Sequence, residues 1–326
     1  MRKLPLIVVH FALALVPAFS QAADSAVTQL YPDKPIRLIV PFGAGASTDT
    51  VARLVAQHLG EALKESVIVE NRPGGNGTIG ARTVLNAPAD GYTILASGSA
   101  LQVFNPLTFA DITYKPDDLI PITVLAEYPL VIAVNNNTPI RTLADFTKVA
   151  HDKPDKFTYG FTGPTFQAQA EYLFSKLKVK LLPVPYNGGG AALLSVMAGD
   201  TDVIAQDPTS IAPMHKSGKL RAIAVTSSNR NSALPDVPTV AESGLPGFET
   251  SVFTGLAVRR GTPPEIVQKL NAEISKVLAL PEVRNRIESL GMTTIGSTPE
   301  ASAEKIRHEI KLYTPIVESS GMRVKQ

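Results

Sequence analysis

The chain has 326 residues, long enough for two domains of ordinary size and too long for one small one. Apolar residues make up 44% and charged residues 18%, and the formal net charge is only +2, with no Lys or Arg run longer than a pair. That balance supplies ample core and speaks against nucleic acid as a partner, while the absence of cysteine excludes disulfides, thiolate catalysis, thiolate metal sites and a lipidated cysteine anchor.

Met1-Arg2-Lys3, the apolar run LPLIVVHFALALVPAF (4–19) and the small-residue stretch SQAA (20–23) have the three parts of a secretory leader. Residues 1–23 are therefore expected to be removed, with the cut near Ala22 or Ala23. As a membrane anchor the run is short for a hydrocarbon core of about 30 Å, and it contains two prolines. An exported, cysteine-free chain of this size points to a bacterial periplasm, where a large core replaces disulfides.

Short apolar runs then alternate with helical patterns. Strands are expected at 36–42, 67–71, 92–97, 121–126, 130–135, 157–161, 181–186, 202–206, 220–226 and 253–258. Between them apolar residues recur at three- and four-residue spacing, as in Val51, Leu54, Val55, Leu59 and Leu63. The C-terminal part reads as helical, with the prolines at 263–264 suited to a first turn and Thr298-Pro299 as a capped start. The Pro-rich stretch 233–249 reads as an irregular surface connection. Alternating strands and helices argue for an α/β chain with parallel sheets covered by helices on both faces. No Gly/Ser-rich linker divides it, so the chain is expected to pass between its domains more than once.

The motif PFGAGASTD (41–49) carries most of the functional information. Gly43 and Gly45 allow a sharp turn, Ser47, Thr48 or Asp49 can cap the following helix, and the free amides at its start offer a half-charge site for an anion. No Lys or Arg stands in 41–52, so the lysine of a nucleotide-triphosphate loop is missing. Two later junctions repeat the design: Thr162-Gly163-Pro164-Thr165, and Asn187 with the three glycines after it. Several helix starts at the carboxyl ends of strands would converge on one crevice. Gly75-x-Gly77-x-x-Gly80 matches a dinucleotide fingerprint, but Arg72-Pro73 lengthens the turn and Ser97 stands where a ribose-binding acid belongs, so no cofactor is expected.

Catalytic constellations are scarce. His58, His151, His215 and His308 each stand apart among polar neighbours, and neither a G-x-S-x-G nor an H-E-x-x-H pattern occurs. Asp90, Asp200, Asp202 and Asp207 are the carboxylates available for acid–base pairing, but Asp90 sits in a turn and Asp200-x-Asp202 at a helix exit. No metal site is expected.

The phrases ENRPGGNGTIGA (70–81), PADGYTIL (88–95), VPYNGGGAALLSVMAGDTDVI (184–204) and LPDVPTVAESGLPGFE (234–249) together resemble the Bug/TctC family, the periplasmic solute-binding proteins of tripartite tricarboxylate transporters. The resemblance spans the whole mature chain. It implies a type II periplasmic binding protein-like fold, with two Rossmann-like α/β domains joined by crossing hinge strands: 24–128 plus 250–326, and 129–249. It further implies a monomer without cofactor that captures a small carboxylate by domain closure and delivers it to integral membrane transporter subunits. Carried over residue by residue, the ligand contacts are Ala44, Gly45, Ser47, Thr48 and Asp49 from the first loop, and Ser97, Gly98 and Ser99 from the third-strand turn. The second domain supplies Thr162, Gly163, Thr165, Tyr186, Gly188, Gly189 and Asp207, and the returning strand Phe253 and Thr254.

Three departures stand out. Ala46 replaces the second glycine of the first loop, Phe253 stands where Trp is frequent, and Phe161, Pro164 and Phe166 replace a Ser/Gly/Asn-rich loop. The phenylalanines suggest a ligand with an aromatic or long apolar body, alongside a dicarboxylic acid. The alternatives are a ligand sensor presenting its closed form to a membrane receptor and, from another class, an exported α/β hydrolase, which the missing nucleophile–base pair disfavours. An effector domain of a transcription factor shares the architecture, but the leader and the lack of a DNA-binding helix pair count against it.

Overall fold

The computed structural model describes residues 31–153 and 156–324, so the expected leader lies outside the described residues. In chain order the first part runs β1 (Ile36–Val40), α1 (Ser47–Leu63), β2 (Val67–Asn71), α2 (Thr78–Leu85), β3 (Thr93–Gly98), α3 (Asn105–Thr108) and β4 (Leu119–Tyr128). The middle part is β5 (Val131–Asn135), α4 (Leu143–Asp152), β6 (Thr158–Phe161), α5 (Gly163–Leu177), β7 (Leu182–Pro185), α6 (Gly189–Ala198), β8 (Val203–Gln206), α7 (Pro208–Lys216) and β9 (Leu220–Val225). The chain returns through β10 (Val252–Arg259), α8 (Pro264–Ala279), α9 (Pro281–Ser289), β11 (Thr293–Thr294) and α10 (Pro299–Ser319). Every strand read from an apolar run is present; the short β11 carries no such run.

Two sheets form, in the orders β11-β4-β10-β3-β1-β2 and β7-β6-β8-β5-β9. Helix-connected neighbours are parallel as expected: β1 with β2 and β3, and β6 with β7 and β8. The expectation of wholly parallel sheets fails elsewhere, because β10 is antiparallel to β3 and β4, and β5 to β8 and β9. The cause is topological. β4 leaves the first sheet and β10 re-enters it, while β5 enters the second sheet and β9 leaves it, so each leaving–returning pair must run in opposite directions. Central strands β1 and β3 are almost wholly buried, which requires cover on both faces. On α1 the expected stripe supplies that cover: Val51, Val55 and Leu59 are fully buried, each stabilising the lobe by about 1.5–3 kcal/mol.

The crossings meet at one residue. Thr226 is fully buried. Its N–H donates to the Leu130 carbonyl at 2.9 Å, and its Oγ1 accepts from the Leu130 N–H at 2.9 Å and donates to the Thr250 carbonyl at 2.8 Å. The Thr250 N–H closes the loop by donating to the Thr226 carbonyl at 3.0 Å. Helix α10 lies behind this junction, with the Tyr313 hydroxyl hydrogen-bonded to Thr250 Oγ1 and Lys305 Nζ 3.1 Å from both Glu127 and Glu309. The Pro-rich stretch 233–249 is less superficial than its composition suggests: Leu234, Val237, Val240 and Phe248 are buried.

Gly98 is where β3 meets the returning chain, and a Cβ there would collide with the Phe253 carbonyl. Gly98→Ala must push β10 away from β3, and we expect a loss of about 2 kcal/mol in unfolding free energy. A denaturant midpoint unchanged from that of the parent chain would refute the close approach.

Candidate functional site

A cleft of about 530 Å³ lies between the two sheets, at the ends of their central strands. Its walls are built by the first loop, the Ser97–Leu101 turn, Asn76 and Asn105 on one side, and by the starts of α5, α6 and α7 on the other. Tyr128, Val252 and Phe253, from the crossing strands, close the back.

The first loop is held from behind. Helix α1 starts at Ser47 with Ala46 as its N-cap, and no side chain bonds to its first amides. None of Ser47, Thr48 and Asp49 caps the helix, which corrects the sequence expectation, since the extended backbone falls on a residue with no acceptor. Asp49 instead reaches back, accepting the Gly45 N–H at 2.8 Å, Arg53 Nε at 3.1 Å and Asn71 Nδ2 at 2.7 Å. Asn71 Nδ2 also donates to the Phe42 carbonyl at 3.1 Å, tying the loop entry to the same network. Burial pushes the Asp49 carboxyl up, but the Gly45 amide, Arg53 and Asn71 outweigh it and hold the group below its ordinary range.

Two helix starts on the opposite wall are equally open. α5 has Thr162 as N-cap and α6 has Gly188, and neither start carries a side-chain hydrogen bond. Gly163 and Gly188 have φ of 72° and 99°, a backbone that only glycine adopts without cost. α7 differs. Asp207 caps it, accepting the Ser210 N–H at 3.0 Å, Ser210 Oγ at 2.9 Å and the Thr209 hydroxyl. Its charge is thereby engaged by its own helix. Asp207 is the one ionisable acid among the lining residues, and neither Lys, Arg nor His is among them. The positive ends of α1, α5 and α6 are the cleft's attraction for an anion.

Of the positions expected from the sequence, Gly45, Ser47, Thr48, Ser97, Gly98, Ser99, Thr162, Gly163, Thr165, Gly188, Gly189, Asp207 and Phe253 line this cleft. Ala44, Asp49, Tyr186 and Thr254 do not. Ala44 is exposed on the loop, and Asp49 is buried behind it. The Tyr186 ring packs over Gly160, its Cε2 3.3 Å from where a Cβ would stand there, and against the second-sheet core. Thr254 is buried within β10. Of the three departures noted in the second-domain loop, Pro164 and Phe166 line the cleft, whereas Phe161 is buried beside Tyr159.

The structure adds Phe42, Asn76, Asn105, Gln206, Thr209 and Ser210 to the lining. Gln206 was legible in principle, as the last strand residue before a helix start; Asn105 was not, because a π turn at Ala100–Phe104 precedes it. Ser47 Oγ and Thr209 Oγ1 meet across the mouth at 3.4 Å, one from each wall. Gly77 and Gly80 of the Gly75-x-Gly77-x-x-Gly80 motif serve packing: a Cβ at Gly80 would come within 2.7 Å of Pro41, and one at Gly77 within 3.1 Å of Leu101. The histidines were expected at the surface, but His58 is half-buried beside Glu61 and Glu282 and His215 Nδ1 accepts the Ala222 N–H at 3.2 Å. No helix among the described residues is long and apolar enough to cross a membrane.

Known proteins are similar to this chain in sequence and in architecture. BugT of Bordetella pertussis is 31% identical over 320 residues, covering 96% of this chain and 98% of its own. A Rhodopseudomonas palustris protein solved with malate, MatC, is 31% identical, with a TM-score of 0.77 over 88% of this chain and all of its own. The R. palustris protein Rpa4515, solved with adipate, is 30% identical with a TM-score of 0.81, covering 89% of this chain and 98% of its own. The family model described as tripartite tricarboxylate transporter family receptor matches residues 51–322. With that match across most of its length, and with two mixed sheets enclosing a cleft of open helix starts, the chain belongs to the TctC family of tripartite tricarboxylate transporter receptors.

Proposed function

We propose that this chain is a periplasmic binding protein, exported by its leader, that captures a small organic acid between its lobes and delivers it to the membrane subunits of a tripartite tricarboxylate transporter. The lobes are 24–128 plus 250–326, and 129–249, and the chain acts as a monomer, without catalysis or cofactor. The observation that carries this reading is the convergence of three uncapped helix starts, from both walls, on a cleft with no cationic side chain. Amides and dipoles grip a carboxylate without the desolvation of a buried cation, and release it as readily when the walls part. The adipate and malate bound by two relatives support a carboxylate ligand. Phe42 and Phe166 give the cleft apolar surface for an aromatic or extended body, whereas the Phe253 ring is buried against helix α10.

Thermal unfolding against aliphatic and aromatic mono- and dicarboxylates tests the reading. An acid present at 100 times its Kd stabilises the folded chain by about 2.7 kcal/mol. Thr48→Leu, placed on the cleft wall in the first turn of α1, is expected to weaken that acid about tenfold while leaving the ligand-free midpoint unchanged. A panel in which no acid raises the midpoint removes the proposal.

A further inference from the structure

The sequence contains two Asn-Gly pairs, Asn76-Gly77 and Asn187-Gly188, and each stands at the cleft: Asn76 lines one wall and Gly188 the other. In such a pair the asparagine side chain is open to attack by the peptide nitrogen that follows it, because glycine has no Cβ to obstruct the approach. Ring closure requires rotation about the Cα–C bond of the asparagine, which swings the glycine peptide toward the side-chain carbonyl carbon. The reactivity of each pair therefore depends on how firmly the fold holds that peptide.

The first pair is held. Asn76 has a left-handed backbone, with φ 48° and ψ 35°. Its carbonyl accepts Asn105 Nδ2 at 2.8 Å, and the Gly77 N–H donates to the Gly74 carbonyl at 3.0 Å. Gly77 is buried, with Leu101 3.1 Å from where a Cβ would stand. Rotation there breaks both bonds and drives the peptide into packed side chains. The second pair lacks these restraints. Asn187 and Gly188 are both exposed, and nothing lies within 4 Å of where a Gly188 Cβ would stand. Neither the carbonyl nor the side chain of Asn187 has a hydrogen-bond partner among the described residues. The Gly188 N–H makes one bond, to the Tyr186 carbonyl at 3.1 Å, closing a turn of only three residues.

We propose that Asn187 is a self-modification site, at which the folded chain deamidates and so lowers its own affinity for acids. The Gly188 nitrogen attacks Asn187 Cγ and gives up its proton as the new C–N bond forms. The side-chain nitrogen leaves as ammonia, and a cyclic imide remains. Water then adds to one of the two ring carbonyls. Breaking the bond from Cγ to the Gly188 nitrogen gives aspartate, and breaking the original peptide bond gives isoaspartate. The sum is one water consumed and one ammonia released, with no other reactant.

The loss of affinity follows from where the new charge stands. Gly188, Gly189 and Gly190 line the cleft, and α6 begins among them as one of its three open helix starts. A carboxylate on residue 187 takes up the positive end of α6 and repels an incoming acid. Isoaspartate also inserts a methylene into the main chain just before the glycines and shifts them. This consequence rests on the carboxylate reading above; the modification itself does not.

Peptide mass mapping of the mature, folded chain during incubation in warm, mildly alkaline buffer tests the site. Asn187 is expected to convert at least about tenfold faster than Asn76, whose two bonds must open first. In urea, where neither pair is held, the two are expected to convert at similar rates. Equal rates in the folded chain, or faster conversion of Asn76, overturn the proposal. Calorimetric titration with adipate, malate and 3-phenylpropanoate tests the consequence. Asn187→Asp is expected to bind whichever of these the parent binds at least about fivefold more weakly. The incubated parent should lose affinity in step with conversion, whereas Asn187→Gln, whose longer side chain closes a ring far more slowly, should keep its own. An Asn187→Asp affinity equal to the parent's overturns the loss of affinity and leaves the carboxylate reading standing. Silence from every acid overturns both, and the mass map alone then decides the modification.

Discussion

Asp49→Asn is expected to lower the unfolding free energy by about 3 kcal/mol and to weaken acid binding at least tenfold. All the partners of Asp49 are donors: the Gly45 amide, Arg53 and Asn71. An asparagine of the same shape must turn an NH₂ toward one of them, and the loop that it held would lose its fixed approach to the ligand. The pH dependence separates this mechanism from a generic loss of packing. Asp49 is held below its ordinary value of 3.8, so its contribution is fully present above that pH and is lost as pH falls through the lowered folded value. Urea midpoints of parent and variant should therefore differ most at neutral pH and approach each other near pH 3. A constant gap across that range would show that the charge is not what holds the loop.

Glu309→Gln is expected to act in the other direction and to stabilise the chain at pH 8. Glu309 is buried on α10, with Oε1 3.1 Å from Lys305 Nζ and Oε2 without a partner among the described residues. Burial raises its carboxyl from 4.5 to about 7, the nearby Glu127 adding to the rise and Lys305 opposing it. The sign follows directly. A carboxyl whose folded value lies above its unfolded one contributes most when both states are protonated, below 4.5, and the contribution is lost as pH climbs through about 7. Glutamine keeps an acceptor for Lys305 and never ionises. The variant should match the parent at pH 4.5 and exceed it by about 3 kcal/mol at pH 8. A variant less stable than the parent at pH 8 would mean that the Lys305 contact outweighs the burial of the charge.

The strands were readable because each is a short apolar run ending in a turn, and the first loop because glycines and small hydroxyls between strand and helix have few other uses. Strand direction was not readable. Nothing local in Val252–Arg259 distinguishes a strand returning from another sheet from one that follows a helix. The work of Asp49 was hidden for a similar reason: whether an acid caps a helix or braces the loop before it depends on which residue takes the extended backbone, and here that residue is Ala46. Tyr186 was placed at the site by the family resemblance, but a glycine across the sheet gave its ring somewhere else to lie. Asn105 had no signal, since a π turn breaks the spacing by which a helical face is recognised.

Thr226 carries a consequence for how such a molecule changes over generations. Both passages between the lobes are bonded to this one buried side chain and its peptide, and it is absent from the residues lining the cleft. Under the proposed function, the ease with which the lobes part and the identity of what they hold are therefore written at separate addresses. Mutation can retune the first without disturbing the second, leaving a lineage free to adopt new nutrients on an unaltered mechanical frame.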